Sequence, residues 1–244
     1  MKSIIAGMIH LLVLLVVPGV AQDIRQEQVL FKKGDSSTTI IGKVKGYQGV
    51  DYQLLAKAGQ SMVVNFKPSN LSTYFNILSP ESNDVAMFVG STSGNHFANM
   101  LTTDGVYTIR VYLMRNAARR NETSDYTLTV SLEGKALEAI PSSVDAILPG
   151  TPFHASASIN CVPFLSAELQ KCEAFVIRRG FDGTGTVEIR PASGLKRSIL
   201  FVAGKPISAD AQDPMTFTHK GDLTIINFGK EERYEIPDAL VFGG

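Results

Sequence analysis

The chain has no tryptophan, only two cysteines and four histidines, and its 23 basic residues are matched by 23 acidic ones. Without indole rings, recognition built on broad aromatic platforms is not expected. Without net charge, the molecule has no overall field for gathering polyanions, so neither nucleic acid nor an anionic membrane surface is an expected partner. The sequence contains no H-E-x-x-H, no G-x-S-x-G and no phosphate-binding loop. Gly90-Ser91-Thr92-Ser93-Gly94 places threonine where a nucleophile elbow carries serine, and reads as a solvated loop. Gly180-Phe181-Asp182-Gly183-Thr184-Gly185 is glycine-rich but joins two strand-like runs and opens no helix. His154 and His219 are isolated, and Glu231-Glu232 beside Lys230 and Arg233 reads as a solvated turn. No catalytic site, metal centre or cofactor is therefore expected, and the chain reads as a non-enzyme.

What is present begins at the N-terminus. Lys2 precedes an apolar run from Ile4 to Val17, which Pro18-Gly19 ends, and small residues follow at Gly19-Val20-Ala21. That order is a secretory signal over residues 1–21, with cleavage after Ala21. The alternative is a retained anchor, but the run is about 14 residues where a bilayer-spanning helix needs about 20. No second run of spanning length follows, so the mature chain is expected to be soluble, in the periplasm or outside the cell. Cys161 and Cys172 both lie in the exported part, where thiols oxidise. They are expected to form a disulfide. A metal pair is the alternative, but it lacks nearby histidine.

From Val29 to Leu132 the chain alternates with a period of two. Met62, Val64 and Phe66 share one face. Tyr107, Ile109, Val111 and Leu113 form a second stripe, and Tyr126, Leu128, Val130 and Leu132 a third. Lys33-Gly34-Asp35, Ala58-Gly59 and Asp104-Gly105 are among the turns between runs. Alternation of this kind predicts antiparallel strands with one face on a core, here a β-sandwich over 22–134. Residues 135–150, with Pro141, Ser142, Ser143, Pro149 and Gly150, read as a linker or long connection. Residues 151–244 read as a smaller β-rich domain stapled by its cysteines, with one short helix between them. The fold class expected is all-β.

Three arginines fall within six residues in Met114-Arg115-Asn116-Ala117-Ala118-Arg119-Arg120-Asn121, between two strong strands. An ordinary solvated hairpin loop is one reading. A recognition loop is the other, since arginine forks suit carboxylates and anchor interfaces.

Several positions carry a family resemblance: Gly42 with Gly46-Tyr47, Tyr52-Gln53 through Ala56 to Gly59-Gln60, Gly105-x-Tyr107-x-Ile109-Arg110-Val111, Arg115-Asn116-x-Ala118-Arg119, and Tyr126-x-Leu128-x-Val130. On these, the stretch from about Val29 to Leu132 resembles the proteinaceous inhibitors of goose-type lysozyme. More loosely it resembles the pre-peptidase C-terminal domains, which share the sandwich. The glycine-tyrosine framework is common to both groups; the Arg-Asn-x-Ala-Arg element looks like the inhibitors. The part from about Lys135 onward lies outside this likeness and resembles a module of exported proteobacterial proteins.

The resemblance implies a goose-type lysozyme as partner and a loop entering its cleft. Arg115, Asn116 and Arg119 would then contact the partner, with Tyr47 adding contact if its turn lies at the same end. The competing expectation is an envelope structural or interaction protein that uses the sandwich as a generic exported module and inhibits no lysozyme.

Overall fold

The computed structural model describes residues 24–82 and 84–243; the expected signal, residues 1–21, lies outside the described residues. The first part builds nine strands: β1 (Ile24–Gln28), β2 (Ser37–Lys45), β3 (Gly49–Ala56), β4 (Ser61–Pro68), β5 (Thr73–Leu78), β6 (Ala86–Val89), β7 (His96–Met100), β8 (Gly105–Leu113) and β9 (Thr123–Glu133). Two one-turn helices interrupt them, α1 (Gly90–Ser93) and α2 (Arg115–Arg119). The strands form a five-stranded sheet ordered β1-β3-β8-β5-β6 and a four-stranded sheet ordered β2-β9-β4-β7. The pairs are antiparallel except β1 with β3, which run parallel. The fold is all-β, as the alternation predicts.

The alternating stripes are the core. Tyr107, Ile109 and Val111 are fully buried from one sheet, and Met62, Val64, Leu128 and Val130 from the other. Between the sheets the Tyr52 and Tyr126 hydroxyls meet at 2.8 Å. Gly42 makes room for this pair: a Cβ there would lie 2.4 Å from the Tyr126 ring. The glycine-tyrosine framework is thus one packing unit, a ring over a glycine with its polar tip satisfied. β3 breaks simple alternation because its outward Asp51 is also buried. Arg110 on β8 covers it with a two-pronged ion pair, Nε at 2.7 Å and Nη2 at 2.9 Å.

Two local expectations over this part are corrected. Gly90–Gly94 is solvent-exposed from Ser91 onward, as expected, but it is not an irregular loop. It contains α1, whose Thr92 hydroxyl returns to the Val89 carbonyl at 3.0 Å, and Gly90 packs so closely that a Cβ would meet the Phe75 carbonyl at 2.4 Å. The 114–121 segment is not a hairpin loop. β8 and β9 lie in different sheets, so the segment arches from one sheet to the other through α2.

Residues 135–150 contain no strand or helix, but they are fastened at both ends. The Leu137 amide donates to the Ala58 carbonyl and Lys57 pairs with Glu138 on the sandwich side. The Ile140 amide donates to the Arg178 carbonyl, and Arg178 pairs with Asp145, on the other side. The segment is a strap along both halves.

The second part is a single eight-stranded sheet. Its strands are β10 (Ala155–Val162), β11 (Gln170–Arg178), β12 (Gly185–Arg190), β13 (Arg197–Val202), β14 (Lys205–Ala209), β15 (Met215–Lys220), β16 (Leu223–Phe228) and β17 (Glu232–Pro237), followed by α3 (Asp238–Phe242). The order is β14-β13-β12-β11-β10-β17-β16-β15. Ile199 and Phe201 near one end share a core with Ile226 and Phe228 near the other, so the sheet curls over its own apolar face. Leu240 and Val241 of α3 help fill it.

Cys161 and Cys172 form the expected disulfide, with Cα atoms 5.9 Å apart across the β10–β11 hairpin. The short helix expected between them is absent. Antiparallel pairing extends to Cys161 opposite Gln170, leaving eight residues to reverse the chain, and Pro163 and a left-handed Leu165 (φ 62°) turn it. The Glu231-Glu232 expectation also fails for Glu232. That residue begins β17 and is buried, bonded to Arg197 at 2.6 and 3.0 Å and to the Tyr234 hydroxyl at 2.9 Å. Arg197 is buried as well, and Asp210 lies on its other side. Burial pushes the Asp210 carboxyl above its ordinary range.

The two halves meet through specific polar contacts. Thr186 donates to the Thr102 carbonyl at 2.5 Å, Ser208 to the Met100 carbonyl at 2.5 Å, and Ser79 to Asp210 at 3.3 Å. Arg179 pairs with Asp104 and also reaches the Leu137 carbonyl. These contacts cluster where β8 begins. The strand then runs about 27 Å, at about 3.4 Å per residue, before it delivers α2 at the opposite end.

Candidate partner-binding site

The far end of the sandwich is built from three chain segments. Residues 46–48 turn between β2 and β3, residues 69–72 turn between β4 and β5, and residues 114–122 carry α2. The Gly46 amide donates to the Glu122 carbonyl at 2.9 Å, and the Met114 amide donates to the Ser72 carbonyl at 2.9 Å. Asn70 donates from its side chain to Glu122 Oε2 at 2.8 Å. The Tyr47 turn therefore lies at the same end as the arginine segment, which satisfies the condition set from the sequence. Gly46 is needed for this closure: its φ is 56°, and a Cβ would lie 2.7 Å from the Asn121 side-chain oxygen.

α2 has a buried face and an exposed one. Ala117 and Ala118 are buried, at 0% and 3% exposure, and fix the turn against the sandwich. Their small side chains let the backbone approach the core. Asn116 Oδ1 accepts from the Ala117 amide at 2.8 Å, which supports the first turn. Asn121, at φ 55°, ends the turn in the left-handed region that asparagine tolerates.

The three arginines separate into two kinds. Arg120 bonds Glu122 Oε1 at 2.6 Å. Glu122 thus holds both Asn70 and Arg120, and these two bonds keep its carboxyl below the ordinary range. Arg115 and Arg119 are exposed, and neither side chain makes a hydrogen bond or ion pair among the described residues. They stand four positions apart, hence on one side of a helical turn. Asn116 is exposed between them, and Tyr47 is 38% exposed nearby. Leu71, which the sequence reading did not single out, is 86% exposed on the adjoining turn, and Met114 is 39% exposed. A large apolar residue in an Asn-x-Ser turn was the available signal. This end therefore presents two unneutralised guanidinium groups beside a polar and apolar rim. It holds no arrangement of nucleophile and base, and no group of three metal-ligating side chains occurs among the described residues.

No protein-family model matches the chain. An inhibitor of g-type lysozyme from Escherichia coli (strain K12) is 32% identical over 106 residues, which make up 43% of this chain and 79% of that relative. Among solved structures, a periplasmic inhibitor of g-type lysozyme from Aeromonas hydrophila is 33% identical and is matched over all of its length and 46% of this chain, with a TM-score of 0.43. The pre-peptidase C-terminal domain of a collagenase from Bacillus anthracis is matched over 99% of its length at 15% identity and a TM-score of 0.32. The sequence match spans most of the Escherichia coli relative, and the chain belongs, through its N-terminal part, to the family of g-type lysozyme inhibitors.

Proposed function

We propose that this protein is a periplasmic inhibitor of g-type lysozyme, and that α2 with its flanking turns is the part that enters the enzyme's cleft. The observation that carries the reading is the pair Arg115 and Arg119, exposed and unpartnered on a turn whose other side is locked by buried alanines. A glycosidase works through carboxyl groups in a cleft. An inhibitor performs no chemistry: it fills that cleft and satisfies the carboxylates. Charge-assisted, two-pronged arginine bonds do this well, and a rigid support lowers the entropy lost on docking. Asn116 and Tyr47 add polar and aromatic contact from the same end.

The second half is compatible with this role. Its contacts with the sandwich are at the opposite end of β8, so the arginine end stays open. The test is titration of the mature protein against goose-type and chicken-type lysozymes acting on peptidoglycan. Inhibition of the goose-type enzyme is expected. Its absence at micromolar protein refutes the reading.

A further inference from the structure

A cleft of ≈ 650 Å³ opens where the two halves meet, far from the arginine end. Val106 of the sandwich and Phe153 and Ile177 of the second half give it an apolar lining. Arg190 of β12 stands in the same cleft, its side chain 45% exposed. The guanidinium lies 4.7 Å from the centre of the Phe175 ring and 5.1 Å from that of Phe153. Its Nε donates to Glu188 Oε1 at 2.6 Å. Two rings and one carboxylate thus orient the fork, while its terminal nitrogens, Nη1 and Nη2, have no hydrogen-bond partner among the described residues. Lys196 stands beside it, bonded to Glu81 across the interface at 2.9 Å and 3.7 Å from Glu188.

An arginine oriented in this way is prepared to receive a planar anion, because little of its freedom remains to be lost. The charges around it limit what that anion can be. Glu81, Asp104 and Glu188 line the same cleft and offset Arg179, Arg190 and Lys196, so the cleft has no excess positive charge with which to hold a polyanion. An uncharged apolar molecule would cover the guanidinium and leave its free N–H groups unsatisfied.

We propose that this cleft binds a small monocarboxylate with an apolar body, the carboxylate on the Nη atoms of Arg190 and the apolar part against Val106, Phe153 and Ile177. The site is independent of lysozyme inhibition and assigns a ligand to the interface between the halves. Because both halves supply its walls, the ligand also favours their docked arrangement.

The experiment compares hydrocinnamate with hydrocinnamamide, which match in shape and differ in charge, on the full mature chain by calorimetry and by NMR. Hydrocinnamate should bind at least about tenfold more tightly than the amide, as a charge-assisted pair requires, and should shift the Arg190 Nε–H resonance where the amide does not. Arg190→Gln should abolish the preference. Equal binding of the two compounds, no binding of either at about 10 mM, or a preference that survives Arg190→Gln overturns the proposal. If Arg190→Gln does not fold, the acid–amide difference and the Arg190 resonance in the unaltered protein decide.

Discussion

The Tyr52 hydroxyl lies 2.8 Å from the Tyr126 hydroxyl, one donating to the other between the two sheets of the sandwich. Both rings are buried, at 1% and 3% exposure. Deleting either oxygen takes away the hydroxyl partner of the other, at a cost of about 1–3 kcal/mol. Deleting both removes the unsatisfied group as well. Tyr52→Phe and Tyr126→Phe should therefore each lower stability, while the double variant should recover part of the loss. Denaturant titration of the three variants and the parent closes the cycle. Strictly additive losses would show that the pair does not act as a unit.

The same burial has a signature in alkali. Tyr52, Tyr107, Tyr126 and Tyr234 all titrate above the ordinary tyrosine range, in each case chiefly because burial penalises the phenolate. A raised pKa in the folded state means that the folded chain holds its phenolic protons more tightly than the unfolded chain does. The corresponding stability is fully present below the unfolded value of about 10 and is lost as pH rises above it. Of the seven tyrosines, these four should withhold their ultraviolet ionisation change until the protein unfolds. A spectrophotometric titration of native and denatured protein checks this. Complete, reversible ionisation near pH 10 with the fold intact is the contrary result.

The arginines make a prediction that separates neighbours. If α2 docks in a carboxylate-bearing cleft, Arg115→Ala and Arg119→Ala should each weaken inhibition of g-type lysozyme by about 2–5 kcal/mol, the range for breaking a buried charged pair. Arg120 is already engaged by Glu122, so Arg120→Ala should cost less than about tenfold, as expected for a rim charge. Inhibition constants for the three variants, with circular dichroism to confirm the fold, provide the measurement. Equal effects of all three would assign the segment a diffuse electrostatic role instead.

The sandwich was legible because period-two alternation is a local signal, and one-sided burial preserves it along β4, β8 and β9. The disulfide was legible from compartment and count. What escaped depends on residues far apart in sequence. Glu232 reads as a surface acid because its neighbours are charged; only folding brings Arg197 to it, 35 positions away. The hairpin between the cysteines reads as helical because Ser166 to Gln170 suit a helix locally, but ladder pairing of β10 with β11 overrides that preference. At the candidate site, the sequence indicated the cluster of arginines but not which of them carry a free charge. That distinction arises from Glu122 and Asn70, placed by two different turns.

The disulfide and the candidate site lie in different halves, which gives the last prediction. Cys161 and Cys172 are 11 positions apart. Closing a loop of that length stabilises by about 3 kcal/mol on the chain-entropy model. Replacing both cysteines by serine should lower the unfolding midpoint of the second half by several degrees. Inhibition of g-type lysozyme should persist wherever the variant remains folded, because α2 is held by Ala117, Ala118 and Glu122, all within the sandwich. The contacts of Thr186 with Thr102 and of Ser208 with Met100 tie the halves together, so part of the loss should reach the sandwich as well. Residues 22–134 expressed alone should then inhibit but melt at a lower temperature than the full mature chain. A fragment as stable as the whole would mean that the interface contributes nothing to the sandwich. A folded fragment that does not inhibit would move the partner surface into the second half.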